Sequence, residues 1–175
     1  MSTTKWNLDP THSELNFKVK HLVISTVTGS FNSFEASVET STEDFDGASV
    51  SFAGDVSTID TNNADRDGHL KSGDFFDVEK YPKMTFSNGK LTKKGGDYAL
   101  VGDLTIKDVT KQVTLKATYG GTVVDPYGQT KAGFELEGEI NRKDFGLTWS
   151  AVTEAGNVVV GDKVRILANI QVVKA

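Results

Sequence analysis

Cysteine is absent from this 175-residue chain. That excludes disulfides, thiolate metal sites and cysteine nucleophiles together, and it leaves the redox compartment open. No apolar run approaches the length of a membrane-spanning helix. The opening residues, Met-Ser-Thr-Thr-Lys-Trp-Asn-Leu-Asp, hold no apolar stretch of the secretory kind. The expectation is therefore a cytoplasmic protein, or a periplasmic one if a leader has been removed. Clustered positive charge is lacking as well: the 19 Lys and Arg residues are scattered. The formal net charge is -5, and Lys93-Lys94 and Arg142-Lys143 are the only adjacent basic pairs. A nucleic-acid surface needs clustered cations, so none is expected. Gly-x-Gly-x-x-Gly, Gly-x-x-x-x-Gly-Lys-Ser/Thr and Gly-x-Ser-x-Gly are all missing, which leaves nucleotide binding and an elbow-type hydrolase without local support. With no internal repeat, low-complexity tract or dividing linker, the chain is expected to form one domain over residues 1–175.

What the chain does have is period-two alternation, the signature of strands buried on one face. Leu15, Phe17 and Val19 alternate with Asn16, Lys18 and Lys20, and Phe34, Ala36 and Val38 with Glu35, Ser37 and Glu39. The pattern continues through Val50 and Phe52, Met84 and Phe86, Leu100 to Ile106, Val113 to Tyr119, Ala132 to Ile140, Leu147 and Trp149, and Val164 to Val172. Short turn-rich connections at Asp44 to Gly47, Lys93 to Gly96 and Asp125 to Gly128 make neighbouring strands antiparallel. The expected fold is all-β: an antiparallel barrel of about eight strands, which removes the exposed sheet edges. Such a barrel is either solid or holds one small ligand. Gly54, Gly102 and Gly138 fall on the apolar phase, as at bends, bulges or close approaches.

The alternation stops between Ile59 and Phe86, where charge, histidine and paired aromatics concentrate. A helix is expected over residues 62–72, capped by Thr61 or Asn62 and ended by Gly73, with a second helical turn between Lys20 and Ser25. His12, His21 and His69 have no metal-binding spacing, so no metal site is expected. Arg66, Asp67 and His69 form one arginine–carboxylate group, and Arg142 and Asp144 a second; each either braces a loop or touches a ligand. A hydrolytic reading instead requires His12, Arg66, Asp67 and His69 to converge on an open cavity.

These motifs, in this order, resemble the YceI-like family of lipocalin-like, polyisoprenoid-binding proteins. The resemblance runs from Trp6-x-Leu8-Asp9-x-x-His12-Ser13-x-Leu15-x-Phe17 and His21-Leu22-Val23-Ile24-Ser25-x-Val27-x-Gly29-x-Phe31 onward. Its most specific block is Ile59-Asp60-Thr61, Arg66-Asp67-x-His69-Leu70-Lys71, Phe75-Phe76-Asp77-Val78 and Tyr81-Pro82-x-Met84-x-Phe86; Ile140-Asn141-Arg142-x-Asp144-Phe145-Gly146-Leu147 follows later. The resemblance implies a non-enzymatic eight-stranded lipocalin-like barrel with one or two short helical segments, no cofactor and a homodimeric state. Its cargo would be a polyisoprenoid, a quinone tail or a fatty amphiphile. The expected apolar lining is Phe17, Val19, Phe34, Phe52, Phe86, Leu104, Leu115, Phe134, Leu136, Trp149 and Ile166. Arg66, Asp67, His69, Arg142 and Asp144 would border or cap the pocket.

Overall fold

The computed structural model describes residues 3–21, 24–41, 44–147 and 160–175. In chain order its elements are β1 (Thr4–Leu8), β2 (Glu14–His21), β3 (Ser25–Phe31), β4 (Phe34–Thr40), β5 (Ser49–Asp55), β6 (Ile59–Asp60), α1 (Ala64–Lys71), β7 (Lys83–Lys94), β8 (Asp97–Ile106), β9 (Val109–Val124), β10 (Thr130–Asn141) and β11 (Val160–Lys174). The segments make a closed antiparallel barrel of eight strands, because three of its staves are broken. β1 and β2 are one stave interrupted by the 3-10 turn Pro10–His12, β3 and β4 a second interrupted at Asn32-Ser33, and β5 and β6 a third interrupted at Val56–Thr58. Pairing shows the continuity: β2 lies against β3 and β1 against β4, while β4 lies against β5 and β3 against β6. The ring closes on β11, which pairs with β10 on one edge and with β2 and then β1 on the other.

Alternation decides which side chains point inward. Along β8, Tyr98, Leu100, Gly102, Leu104 and Ile106 are buried and the residues between them half-buried. Register shifts at Val50/Phe52, Ser87/Lys90 and Gly133/Phe134 add the local twist that a small closed barrel demands. Two of the inward glycines leave room for neighbours. A Cβ on Gly102 would stand 2.4 Å from the Phe86 ring, and one on Gly138 would stand 2.2 Å from Leu115 Cδ2. Large side chains of the barrel itself occupy that space.

The meander gives the barrel two different ends. The upper end carries the crossover between β6 and β7 with α1, the Lys107-Asp108 turn and the 3-10 turn Arg142–Phe145. The lower end carries Thr4, the loop through Phe45, the Gly95-Gly96 turn and the Asp125–Gln129 turn.

Two local expectations are corrected. Lys20 and His21 continue β2, paired with Thr26 and Ser25, so no helical turn begins there; Leu22 and Val23 lie outside the described residues. The cap of α1 is Asn63, whose side chain accepts from Arg66 N–H at 3.0 Å. Asn62 is in left-handed backbone at φ 62, and the Thr61 side chain is engaged elsewhere. At the far end, the Ser72 N–H and hydroxyl both donate to the His69 carbonyl, at 3.1 and 2.6 Å.

Candidate ligand-binding cavity

The inward side chains of the staves do not meet on the axis. They line a partly open cavity of about 220 Å³. A packed core has few voids larger than one water, so this space exceeds ordinary packing defects by more than an order of magnitude. Phe17, Val19, Phe52, Phe86, Leu104, Leu115, Phe134, Leu136 and Ile166 all line it, where alternation had put them. Phe34 does not. It is the first residue of β4, half-buried, and its ring lies 5.8 Å from that of Phe52, which takes the cavity-facing place. Trp149 lies outside the described residues.

Other wall residues come from two sources. Ala36, Val38 and Val50 follow the same alternation and were legible from it. Leu70, Phe75 and Phe76 hang down from the crossover, where no strand period exists to mark them. Phe76 packs edge-on against Phe31 at 6.0 Å, and Phe31 in turn sits 5.5 Å from Phe17. Leu70 of α1 and Phe75 and Phe76 beyond it thus turn inward at the upper end, while charged side chains of α1 fasten the crossover from outside.

That fastening runs through Thr61, which is buried at 3% exposure. Its backbone N–H donates to Asp67 Oδ1 at 2.9 Å, and its hydroxyl donates to the same oxygen. Arg66 Nε donates to the Thr61 hydroxyl at 2.8 Å, and Nη2 to the Thr61 carbonyl at 2.7 Å. His69 is bonded to Asp74 at 2.9 Å, with its ring edge-on to Phe75. Arg66 and Asp67 therefore brace the cap through Thr61.

Arg142 is the second brace, at 3% exposure, and it also reaches the cavity wall. Its guanidinium donates to the carbonyls of Leu147 at 2.6 Å, Gly161 at 2.8 Å and Val160 at 3.3 Å, tying the 3-10 turn to the start of β11. Among the described residues its carboxylate partner is Asp162, at 3.7 Å; Asp144, expected in that role, is exposed on the same turn. Asp162 begins a stave adjacent in space but distant in sequence, which no local pattern could mark. Burial pushes the Arg142 pKa down and Asp162 opposes that shift.

At the lower end, Phe45 folds across the barrel. It is 3% exposed, with its ring 4.9 Å from Phe134, 5.2 Å from Trp6 and 5.8 Å from Tyr119. Backbone bonds hold its loop to β7: Gly47 N–H to the Leu91 carbonyl at 2.7 Å and Leu91 N–H to the Ala48 carbonyl at 2.9 Å. Sequence reasoning missed this stopper because a lone loop phenylalanine carries no period.

His12 lies far from the cap. It is bonded to Asp9 at 2.9 Å on the outer wall, in a shallow groove with Gly120, Gly133 and Gln171. Asp9 also pairs with Lys131 at 3.2 Å, and Lys131 with Asp125 at 3.2 Å. Burial alone would raise the Asp9 pKa, but hydrogen bonds from His12, Thr11 and Lys131 outweigh it and hold the carboxyl well below its ordinary value. The convergence of His12, Arg66, Asp67 and His69 that hydrolysis would need is not formed. Among the described residues, no group of three or more His, Asp and Glu side chains is placed to hold a metal ion. Among them, too, no helix is long and apolar enough to cross a membrane.

An antiparallel barrel closed around an apolar cavity, capped by a helix at one end and stoppered by aromatic rings at the other, is a hollow barrel of the lipocalin-like class. Within that class the chain belongs to the YceI-like family, whose domain matches residues 6–172. It is 38% identical over 167 residues to a UPF0312 protein of Staphylococcus epidermidis, covering 95% of each chain. Among solved structures, BcnA of Burkholderia cenocepacia superimposes with a TM-score of 0.81 at 22% identity, covering 94% of this chain and 98% of that one. A polyisoprenoid binding domain from Saccharophagus degradans superimposes with a TM-score of 0.70 at 15% identity, covering 97% and 98%. At those identities the two structures establish the shared fold.

Proposed function

We propose that this protein binds the apolar chain of a long isoprenoid or similar amphiphile inside its barrel, as a carrier or store and without catalysing a reaction on it. The observation that carries this reading is the cavity, whose wall among the described residues is apolar side chains from every part of the ring except at Asn16 and Arg142. Such a lining offers an oily chain burial and offers a polar metabolite almost nothing. Each five-carbon isoprene unit taken from water would contribute roughly 4 kcal/mol, at about 0.8 kcal/mol per methylene-sized group. Three or four units would then give micromolar affinity or better after the entropy of association is subtracted. The Saccharophagus degradans neighbour, described as polyisoprenoid binding, supports the same ligand class. The separation of His12 from the Arg66, Asp67 and His69 group, with each side chain already paired, favours binding over acid–base chemistry.

Native mass spectrometry of freshly purified protein, followed by organic extraction, tests this. The expected result is a one-to-one adduct that extracts as a polyprenyl or quinone-like species. A clean apo mass that persists after incubation with added isoprenoids would overturn the proposal.

A further inference from the structure

The two ends of the cavity differ in a way that orients its occupant. Arg142, at the upper end, is the one charged side chain among the described wall residues. Toward the lower end the wall is Val38, Leu91, Leu100, Phe134 and Val172, all apolar. An amphiphile with one polar terminus would then place that terminus toward the cap, with its tail running down the barrel.

Directly behind that floor, outside the cavity lining itself, stands Phe45. Its ring stands edge-on to the wall residue Phe134 at 4.9 Å and is backed by Trp6 and Tyr119. Tyr119 is itself 36% exposed, so the aromatic layer behind Phe45 reaches the surface. The ring's position is well determined. Besides the two backbone bonds to Leu91, the Ala48 N–H donates to the Phe45 carbonyl at 3.0 Å and the Lys93 N–H to Asp46 Oδ1 at 2.8 Å. Yet the residue belongs to a loop. Trimming it removes none of the ladder hydrogen bonds that close the barrel, whereas trimming a strand residue would open the wall itself.

We infer that Phe45 sets the length of the apolar chain the barrel admits, by backing the floor against which the tail abuts. This rests on the binding reading above and specifies the ligand further: a chain whose extended length matches the distance from the cap to the floor that Phe45 backs. Longer homologues must leave apolar carbons outside in water; shorter ones leave part of the cavity unfilled. Both lose affinity.

The test is a ladder of synthetic all-trans polyprenols of increasing unit number, offered in equimolar mixture to wild type, Phe45→Leu and Phe45→Ala, and read by native mass spectrometry. Wild type is expected to select a narrow range with an upper cut-off. Phe45→Ala should move that cut-off up by at least one isoprene unit, and Phe45→Leu should enrich the longer members at the same edge. A circular-dichroism melt checks each variant, and Phe45→Leu decides the matter if Phe45→Ala does not fold. A wild-type cut-off that both folded variants leave unchanged, or wild-type uptake with no cut-off, overturns the stop while the binding reading stands. Failure of wild type to take up any member overturns that reading, and the stop with it.

Discussion

The Thr61 hydroxyl donates to Asp67 Oδ1, and the Thr61 backbone N–H donates to the same oxygen at 2.9 Å. The hydroxyl also accepts from Arg66 Nε at 2.8 Å, so it stands between a carboxylate and a guanidinium and joins them. The end of a broken stave and the first turn of α1 are locked by this one side chain. Thr61→Val keeps the shape and removes both hydroxyl contacts. Because the partners are charged and part-buried, the expected loss is roughly 1.5–3 kcal/mol. Urea denaturation measures it, and hydrogen exchange should show the faster opening concentrated in α1.

Filling the cavity should separate ligand uptake from stability. Ala36 is half-buried on β4 and lines the cavity. Ala36→Phe places a ring in that space, so polyprenol uptake should fall at least tenfold. The melting temperature of the apo protein should hold or rise, since the added ring fills a void rather than displacing packed atoms. Unchanged uptake by the folded variant would remove this wall from the binding site.

Gly102 makes the opposite case. A methyl at that position meets the Phe86 ring at 2.4 Å and the Gly89 backbone at 2.9 Å. The ring borders the cavity and can swing toward it, but the Gly89 backbone yields only if β7 moves, so Gly102→Ala should destabilise by about 1–3 kcal/mol, read from the shift in the urea midpoint.

The outer-wall cluster predicts a pH dependence. Asp9 keeps its carboxyl well below the ordinary range because hydrogen bonds from His12, Thr11 and Lys131 overcome the effect of burial. A depressed carboxyl adds stability that is fully present above the unfolded value of about 3.9 and is lost as the pH falls through the lower folded value. Lys131 is shifted upward by its bonds to Asp125 and Asp9, so its share is present at neutral pH and is lost only in strong alkali. Asp9→Asn should therefore melt below wild type at neutral pH. The gap should narrow as the pH drops below about 4, and melting curves over that range measure it.

Much of the barrel could be read from the chain, and most of its wall too. Residues such as Phe86, Leu104 and Phe134 line the cavity because a strand's side chains alternate whatever their neighbours are. The cap was visible as a break in that alternation, though its true N-cap, Asn63, was displaced by one or two positions from the expected one. Phe34 failed because phase alone does not say how far along a stave the cavity extends. Phe45 and Asp162 were invisible for a related reason. Each acts through a partner distant in sequence, Phe134 for the first and Arg142 for the second, and neither carries a local pattern.

The sequence by itself determined the strand character, the antiparallel meander, the face each stave turns inward and the family, all consequences of period-two patterning, turn residues and local motifs. Only the tertiary structure decided that the inward side chains stop short of one another, that three staves break, and that a loop phenylalanine closes the lower end. Those features depend on where the barrel wall stands after closure, which is set by the register shifts and long-range pairings of all eight staves together.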